Sequence, residues 1–445
     1  MKKVFLAIGL LFIMVFCLFS IKKQKNIVEK QEFISPFGKD LRLNTLGTQI
    51  AGERKTVYGY LPYWTIDEVD NFDLDALTDI AYFGLHIDEN GNFIKTQQTD
   101  EGTIQNPGYD SWHNNEKLSN FIKEAQNRNV SVALTIISHI DRNSTEFLYC
   151  KECWDNFYGN LKTEMDLHNI QDVNLNFEYY KTVDKEVSLK YSEFTKFVKR
   201  ELSKDFESPQ IVVTTFADSL INNRVSDVPS LAKIADKLFI MAYDFHISQN
   251  DKAAPVSPMG GAKFYAGYDV RTMIKDYLSY VPPQKLILGV PYYGFNWEEA
   301  DEETLAEREK LLEEMERKRE GGVAEEGTEE HEEGETDRGS DTIVNLPRNN
   351  NTVTQTYSDI MEIIETRKEE GKGGMLSWDE LAQVPVYRYF SDETGKERTV
   401  YFENQKSLEV KYELTKEFDL AGVGIWALGY DGNRPELWQL LKKEF

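Results

Sequence analysis

The chain has 445 residues, of which 40% are hydrophobic and 12% aromatic, and it carries a formal net charge of −25. This apolar content is sufficient for a large folded core, so an intrinsically disordered chain is excluded. The negative charge repels nucleic acids and anionic membrane surfaces, so we expect neither as a partner of the folded region.

The first element is an uncharged apolar run over residues 4–21 with lysines on both sides. It approaches the roughly 20 residues that a membrane-spanning helix needs, and no small-residue cleavage site follows it. We predict a membrane anchor over residues 1–25, with a cleaved signal peptide as the alternative, and a polar spacer over residues 26–54. Either interpretation puts the remaining chain outside the cytoplasm, anchored at the cell surface or secreted.

Eight short β-rich apolar runs follow, and stretches with helical periodicity separate most of them. Strands that alternate with helices form a parallel sheet. Eight such repeats predict an α/β fold of the closed (β/α)8 class, the TIM barrel, which we assign to residues 55–297 and 406–445. The predicted strands are 56–64, 79–87, 130–138, 172–178, 210–217, 237–244, 286–294 and 421–429.

The gap between the seventh and eighth strands is too long for one helix and contains two different segments. Residues 298–344 form an acidic, low-complexity insert, which we predict to be helical at first and then disordered. We interpret this insert as a solvated linker, with recruitment of a basic partner as the alternative. Residues 345–405 contain one helical pattern and two strand-like runs, which predict a small α+β insertion domain.

Cys150 and Cys153 form a C-x-x-C motif. Outside the cytoplasm such a pair can close a local disulfide bond, with free thiols and redox chemistry as alternatives. A zinc site would need two further ligands, and the six histidines of the chain are scattered along the sequence. We therefore expect no metal and no cofactor.

The fourth predicted strand, "DVNLNFE", alternates apolar and polar residues. The interior of a barrel is lined by alternate residues of each strand, and its active site lies at the C-terminal ends of the strands. This arrangement puts Glu178 at the barrel mouth, with Asn176 and Asn174 below it. Buried polar groups are costly unless they are satisfied, so we interpret the row as a candidate active site. The alternative is a row of core residues that satisfy one another.

The ends of other predicted strands contribute aromatic and acidic residues. Each alone is typical of packing, but together they predict a cleft with flat apolar walls and a few carboxyl groups. Such a cleft suits sugar rings, because aromatic faces stack on their C–H faces and carboxylates accept hydrogen bonds from their hydroxyls. The residues are Tyr60, Trp64, Tyr243, Asp244, Tyr292, Tyr293 and Trp426.

Several motifs resemble those of family 18 of the glycoside hydrolases, the chitinase-like (β/α)8 family, in the form found on bacterial cell surfaces. "FIMAYDFH" is similar to the M-x-Y-D motif of the sixth strand, "KLILGVPYYGFNW" to the seventh strand and "GVGIWALGYD" to the eighth. The resemblance extends from about Tyr58 to the C-terminus, apart from the acidic insert. One branch of the family also carries an α+β insertion after the seventh strand.

The resemblance implies retaining hydrolysis of β-1,4-linked glycans that contain N-acetylglucosamine, with the acetamido group of the substrate as nucleophile. By position, Glu178 is the general acid, Asn176 orients the acetamido group, and Tyr243 binds that group from the other side. We expect a monomer that takes such a polysaccharide and contacts a membrane through its N-terminal segment only. The expected substrate-binding residues are Tyr60, Asn174, Met241, Asp244, Tyr292 and Trp426.

The fourth strand departs from the family motif D-x-x-D-x-D-x-E, since Gln171, Asn174 and Asn176 occupy the three aspartate positions. An amide at position 176 accepts a hydrogen bond from the acetamido N–H group but has no charge to stabilise an oxazolinium ion. A similar Asn–Glu pair occurs in the family 85 endo-β-N-acetylglucosaminidases. The sequence therefore leaves open a working glycosidase and a carbohydrate-binding surface protein with impaired turnover.

Overall fold

A computed structural model describes the following parts of the chain: residues 54–100, 102–179, 181–247, 252–299, 310 and 352–445. They belong to one unit of the chain, Thr48–Phe445. The predicted N-terminal anchor and nearly all of the spacer and the acidic insert lie outside the described residues. Among the helices within the described ranges, none is both long enough and apolar enough to cross a bilayer.

The described residues contain fifteen β-strands, of which eight are parallel and form a closed barrel. In chain order the strands are β1 (Thr56–Pro62), β2 (Asp79–His86), β3 (Thr96–Thr99), β4 (Gly102–Gln105), β5 (Ser131–Ser138), β6 (Asp172–Phe177), β7 (Ile211–Phe216), β8 (Lys237–Met241), β9 (Leu286–Pro291), β10 (Tyr293–Glu298), β11 (Val353–Thr356), β12 (Met375–Asp379), β13 (Val384–Phe390), β14 (Glu397–Tyr401) and β15 (Gly422–Trp426). The barrel order is β1-β15-β9-β8-β7-β6-β5-β2. All eight predicted strands are present, and the predicted barrel is confirmed.

Helices follow most barrel strands, as the sequence periodicity predicts. They are α1 (Pro107–Asn114), α2 (Glu116–Asn127), α3 (Asp141–Tyr149), α4 (Lys151–Leu167), α5 (Lys185–Asp205), α6 (Val228–Ile234), α7 (Val270–Tyr277), α8 (Tyr357–Glu369), α9 (Gln405–Glu417) and α10 (Pro435–Glu444). Several begin at side-chain caps. The Asn115 side chain accepts a hydrogen bond from the Leu118 N–H group at the start of α2, and Asp269 accepts one from Thr272 at the start of α7.

Strand β6 is buried along its whole length, and its two faces have different neighbours. On the outer face, the Phe177 ring packs against Tyr191 and Phe194 of α5, with centroid distances of 4.8 and 5.7 Å. Because successive side chains of a strand point to opposite faces, Asn174 and Asn176 share the inner face. The amphipathic pattern thus fixes which residues of β6 line the barrel interior.

The centre of the barrel is filled by aromatic rings. The Phe239 ring lies 5.8 Å from the Tyr58 centroid and 4.9 Å from the Tyr60 centroid. Gly424 on β15 makes room for this ring, since a Cβ atom there would lie 2.0 Å from Phe239. The barrel therefore has a packed floor, and polar side chains above it can line only the mouth.

A second sheet lies between β9 and β15 in the sequence, as the predicted α+β insertion requires. It has five strands in the order β11-β10-β14-β13-β12, all paired antiparallel, and helix α8 follows β11. Strand β10 pairs with this sheet, although the predicted barrel segment extends to residue 297. A separate two-stranded sheet of β3 and β4 has no counterpart among the predicted strands.

Candidate active site

Glu178 follows β6 directly, at the carboxyl end of the barrel. Its backbone N–H group donates to the carbonyl oxygen of Ser138 at 3.0 Å, which continues the pairing with β5 one residue beyond the strand. The period of two therefore persists, and the side chain leaves on the same face as Asn176. This side chain is 13% exposed, so it is partly accessible from solvent.

Three side chains meet at the mouth and are here called the upper layer: Asn176, Glu178 and His139. The Asn176 Nδ2 atom donates to Glu178 Oε1 at 2.8 Å. The His139 Nε2 atom lies 3.2 Å from the same Oε1 and 3.1 Å from Asn176 Nδ2. The predicted pair is thus joined by a histidine, which follows β5 and was not among the predicted site residues.

Asn176 is 2% exposed, and its two polar atoms have different environments. The amide nitrogen contacts Glu178 and His139, whereas the buried Oδ1 atom has no hydrogen-bond partner among the described residues. A buried acceptor without a partner is costly, and in native proteins such atoms often serve a function. The geometry leaves this oxygen available to a donor such as an amide N–H group of a ligand.

The next polar layer down is here called the lower layer and consists of Tyr60, Asn174 and Thr214. The Tyr60 hydroxyl donates to Asn174 Oδ1 at 3.1 Å and lies 2.7 Å from Thr214 Oγ1, while Asn174 Nδ2 donates to Thr214 Oγ1 at 3.1 Å. All three are buried, with relative exposures of 1%, 0% and 3%. Burial raises the pKa of Tyr60 well above its usual value, so its hydroxyl stays protonated.

Tyr243 and Asp244 follow β8, which is separated from β6 by β7 alone. Asp244 has a φ of 56°, a left-handed conformation that Asp tolerates better than most residues. Its carboxylate accepts a hydrogen bond from the Tyr293 hydroxyl. Although Asp244 retains solvent access, enclosure by the surrounding protein raises its pKa to about 6, and the negative charge of Glu178 acts in the same direction.

Aromatic rings form one wall beside the upper layer. Trp426, at the end of β15, makes edge contacts with Phe83 at 4.8 Å and Tyr60 at 5.4 Å between ring centroids. Trp64 is 48% exposed and donates through Nε1 to the Tyr430 hydroxyl at 3.3 Å. Partly exposed tryptophans beside a carboxyl group give the flat apolar surface that the sequence predicts for a sugar cleft.

The structure separates two predicted site residues from the upper layer. Tyr292 is 2% exposed, and its hydroxyl lies 3.3 Å from that of Tyr412 on α9, on the outer side of the barrel. The adjacent Tyr293 instead reaches Asp244. Met241 is partly buried and packs against the central aromatic cluster. Within the described ranges, neither Tyr292 nor Met241 makes a polar contact with the upper layer.

Cys150 and Cys153 are joined by a disulfide bond. The bond connects the residue after α3 to the third residue of α4. Both cysteines are therefore remote in sequence from the strand ends that form the mouth. Among the described residues, no group of three or more His, Cys, Asp or Glu side chains is arranged to hold a metal ion.

Sequence reasoning missed two further histidines, one at the end of β2 and one in the segment that follows β8. His86 ends β2, and its ring is 5.9 Å from that of His139. Burial lowers the pKa of His86 to about 4, with a smaller contribution from His139. His246, two residues after Asp244, has a pKa lowered by burial, and its Nδ1 atom has no hydrogen-bond partner within the described part of the chain. The position of His86 at a strand end was the available signal.

Comparison with known proteins places the chain in a family. Residues 56–431 match the model described as "Glycosyl hydrolases family 18". The "Cortical fragment-lytic enzyme" of Bacillus anthracis is 23% identical over 377 residues, which cover 83% of this chain and 68% of the relative. Five Bacillus relatives are matched over 50% to 68% of their own length.

Solved structures have the same fold. The spore cortex-lytic enzyme SleL of Bacillus megaterium QM B1551 is similar with a TM-score of 0.61 and 17% identity, over 89% of this chain and 75% of that one. The Group IV chitinase of Ostrinia furnacalis gives a TM-score of 0.65 and 18% identity, over 88% of this chain and 99% of that one. The family model covers most of the chain, which therefore belongs to family 18 of the glycosyl hydrolases.

Proposed function

We propose that the protein is a glycosidase that cleaves β-1,4 bonds next to N-acetylglucosamine in a glycan such as peptidoglycan, a chitin-like polymer or an N-glycan. The observation that carries this proposal is the partly exposed Glu178 carboxyl group at the barrel mouth, bonded to Asn176 at 2.8 Å. Family membership supports it. Relatives named for lysis of cortical fragments and as chitinases support the substrate class.

In the proposed first step, the acetamido oxygen of the bound sugar attacks its own anomeric carbon. The bond between that carbon and the glycosidic oxygen breaks, and Glu178 gives its proton to the leaving oxygen. Asn176 accepts a hydrogen bond from the acetamido N–H group through Oδ1, the atom that lacks a partner among the described residues. Tyr243, whose pKa is raised well above its usual value by burial, donates to the acetamido group from β8.

In the second step, water attacks the anomeric carbon of the oxazolinium intermediate from the side that the leaving group vacated. Glu178, now a carboxylate, takes a proton from this water, and the acetamido group is restored. Two displacements at one carbon give overall retention of configuration. The aromatic wall of Trp426 and Phe83 holds the sugar during both steps.

Asn176 limits the proposed rate. An aspartate at this position would stabilise the positive charge of the intermediate, whereas the amide supplies only a hydrogen bond. Loss of one preorganised electrostatic contact costs about 10²–10³ in kcat. We therefore propose a slow glycosidase in which Asn176 takes the orienting role and leaves the charge of the intermediate less well compensated.

A second candidate function is favoured by the two neutral amides, Asn174 and Asn176, that lie below Glu178 on the inner face of β6. Neither amide supplies a negative charge next to the proposed acid. A cleft with this composition binds N-acetylglucosamine oligomers through its aromatic wall and hydrogen bonds without cleaving them. The chain would then be a carbohydrate-binding surface protein.

The test is incubation of the full-length protein with N-acetylglucosamine oligomers and cell-wall fragments, followed by chromatography of the products. The glycosidase proposal predicts release from N-acetylated oligomers, no release from their N-deacetylated counterparts, and no release by Glu178→Gln. Binding without products supports the second candidate. Equal product release by the wild type and Glu178→Gln contradicts the assigned role of Glu178.

We further propose, from the sequence alone, that residues 1–25 anchor the protein at the outer face of the membrane. Their apolar run and flanking lysines support this assignment. Fractionation of cells that express the full chain or a chain without residues 1–25 tests it. Membrane association of the full chain and its loss on deletion are expected; recovery of both chains in the soluble fraction contradicts the anchor.

A further inference from the structure

His139 is a titratable residue of the upper layer to which the two-step mechanism gives no role. It follows β5, and the pairing of Ile137 with Asn176 brings it beside the end of β6. Its Nε2 atom lies 3.2 Å from Glu178 Oε1, and its side chain is 26% exposed. The imidazole is therefore in direct contact with the proposed acid and is accessible from solvent.

Glu178 must carry a proton before it can protonate a leaving oxygen. Its Oε1 atom is within hydrogen-bond distance of both Asn176 Nδ2 and His139 Nε2, and donors at a carboxylate oxygen favour the ionised form. A carboxylate at position 176 would oppose ionisation, but Asn176 is neutral. The acid therefore needs a neighbouring source of a proton, and His139 is in contact with the oxygen that must receive it.

We propose that His139 is a positioning residue that shares one proton with Glu178 and thereby supplies the acid with the proton that catalysis requires. This inference rests on the proposed glycosidase function. In the ion-paired state the proton is on His139 Nε2. When a sugar excludes water from the mouth, the N–H bond breaks and an O–H bond forms at Glu178 Oε1, which leaves a neutral imidazole and a neutral carboxylic acid.

Loss of solvent drives this transfer, because desolvation penalises two charges more than two neutral groups. The protonated oxygen then reaches the substrate by rotation about the terminal carboxyl torsion, which is broad and roughly two-fold. The acid gives its proton to the glycosidic oxygen, and the proton of the attacking water later restores the pair. The cycle consumes no net proton.

Two residues of β2 have aromatic rings near the His139 ring. The Phe83 ring lies 6.4 Å away and the His86 ring 5.9 Å away between centroids. Burial lowers the pKa of His86 to about 4, so His86 is neutral at the pH where a glycosidase of this kind works. The Glu178 carboxylate thus acts on His139 without a competing positive charge from His86.

The test uses the full-length protein with 13C-labelled histidine and follows the ring signals by NMR across pH. The chain has six histidines, and His139→Gln identifies the relevant signal. Glu178→Gln removes the negative partner, so the His139 midpoint is expected to fall. His113, which pairs with Glu164 at 2.8 Å, is the internal control and keeps its midpoint. An unchanged His139 midpoint overturns the proposal.

Kinetics supply a second test. His139→Gln keeps an amide donor but has no proton to share, so kcat at neutral pH is expected to fall about 10²-fold, with the alkaline limb of the profile moved to lower pH. In the Asn176→Asp variant a second carboxyl group lies next to Glu178 and can keep it protonated. In this background, His139→Gln is expected to lower kcat by less than about threefold. Equal losses in both backgrounds contradict the inference. Absence of wild-type hydrolysis contradicts the proposed function and leaves the NMR result to decide the proton pair.

Discussion

The upper and lower layers of the barrel each contain an asparagine on the inner face of β6, and the two asparagines differ in their hydrogen bonding. In the lower layer, Asn174 exchanges hydrogen bonds with Tyr60 and Thr214, and all three groups are buried and neutral. In the upper layer, Asn176 contacts two titratable side chains through Nδ2, and no described residue donates to its Oδ1 atom. The amide of the lower layer is satisfied by its protein neighbours, whereas the amide oxygen of the upper layer is available to a ligand.

This difference separates a structural role from a functional one within a single strand. A buried polar network whose members satisfy one another stabilises the fold and specifies one arrangement. A buried acceptor without a partner among the described residues, next to titratable side chains, is typical of a binding or catalytic site. Substitutions in the two layers are therefore expected to have different effects.

The largest expected effect is on catalysis at the upper layer. Asn176→Asp restores a negative charge beside the developing oxazolinium, so kcat is expected to rise by about 10²-fold or more. The measurement is steady-state hydrolysis of N-acetylglucosamine oligomers. Asn174→Asp is the matched control and is expected to give no such gain, because Asn174 lies one layer below the substrate. No increase with Asn176→Asp means that this position does not limit turnover.

The next effect is on stability at the lower layer. Asn174→Ala leaves the Tyr60 hydroxyl and Thr214 Oγ1 with fewer partners and creates a small cavity, so the free energy of unfolding is expected to fall by about 3 kcal/mol. Asn176→Ala is expected to cost less, since the partners of its Nδ2 atom, Glu178 and His139, are partly exposed and can bind water instead. Denaturant unfolding of both variants measures the difference. Equal losses would remove the distinction between the layers.

Asp172, the first residue of β6, makes the stability of the protein depend on pH. Burial raises the pKa of Asp172 to about 6, although its carboxylate accepts a hydrogen bond from the Gln210 N–H group. Because the folded-state pKa exceeds the unfolded value, the contribution of protonated Asp172 to the free energy of unfolding is fully present below about pH 4. This contribution is lost as pH rises through 6. Asp172→Asn is therefore expected to be more stable than the wild type by about 2 kcal/mol at pH 8 and to match it at pH 4. A constant difference across pH would contradict this assignment.

The smallest expected effect concerns the aromatic wall. Trp426→Ala removes the ring beside the upper layer and is expected to weaken binding of N-acetylglucosamine oligomers about tenfold. Trp378 on β12, whose ring is covered by Lys406 at 3.6 Å, is the matched control. Calorimetric titration of both alanine variants compares them. If Trp378→Ala weakens binding as much as Trp426→Ala, the sugar does not bind specifically against the aromatic wall of Trp426.

The barrel and the two asparagine positions were predictable because they depend on local pattern. Alternation along 172–178 fixes the inner face of β6, and repeated strand–helix units fix the order of the barrel. The position of Glu178 at the end of the fourth barrel strand then follows from the sequence alone. The motif residues Tyr243 and Trp426 were found in the same way, by the resemblance of their strands.

The remaining site features depend on register and chain direction. His139 meets Glu178 only because Ile137 pairs with Asn176, a relation between strands that the sequence does not state. The turn between β9 and β10 decides that Tyr293 rather than Tyr292 reaches Asp244. Histidines at strand ends could have been considered with the aromatics, since the same rule about barrel strand ends applies to them.

The central claim is that Glu178 in the upper layer is the acid of a glycosidase. The most direct measurement is kcat and oligomer affinity for Glu178→Gln and wild type side by side. We expect Glu178→Gln to lose at least about 10³-fold in kcat with affinity unchanged within about threefold, since the amide keeps the shape but has no proton to give. Retained turnover by Glu178→Gln would contradict it.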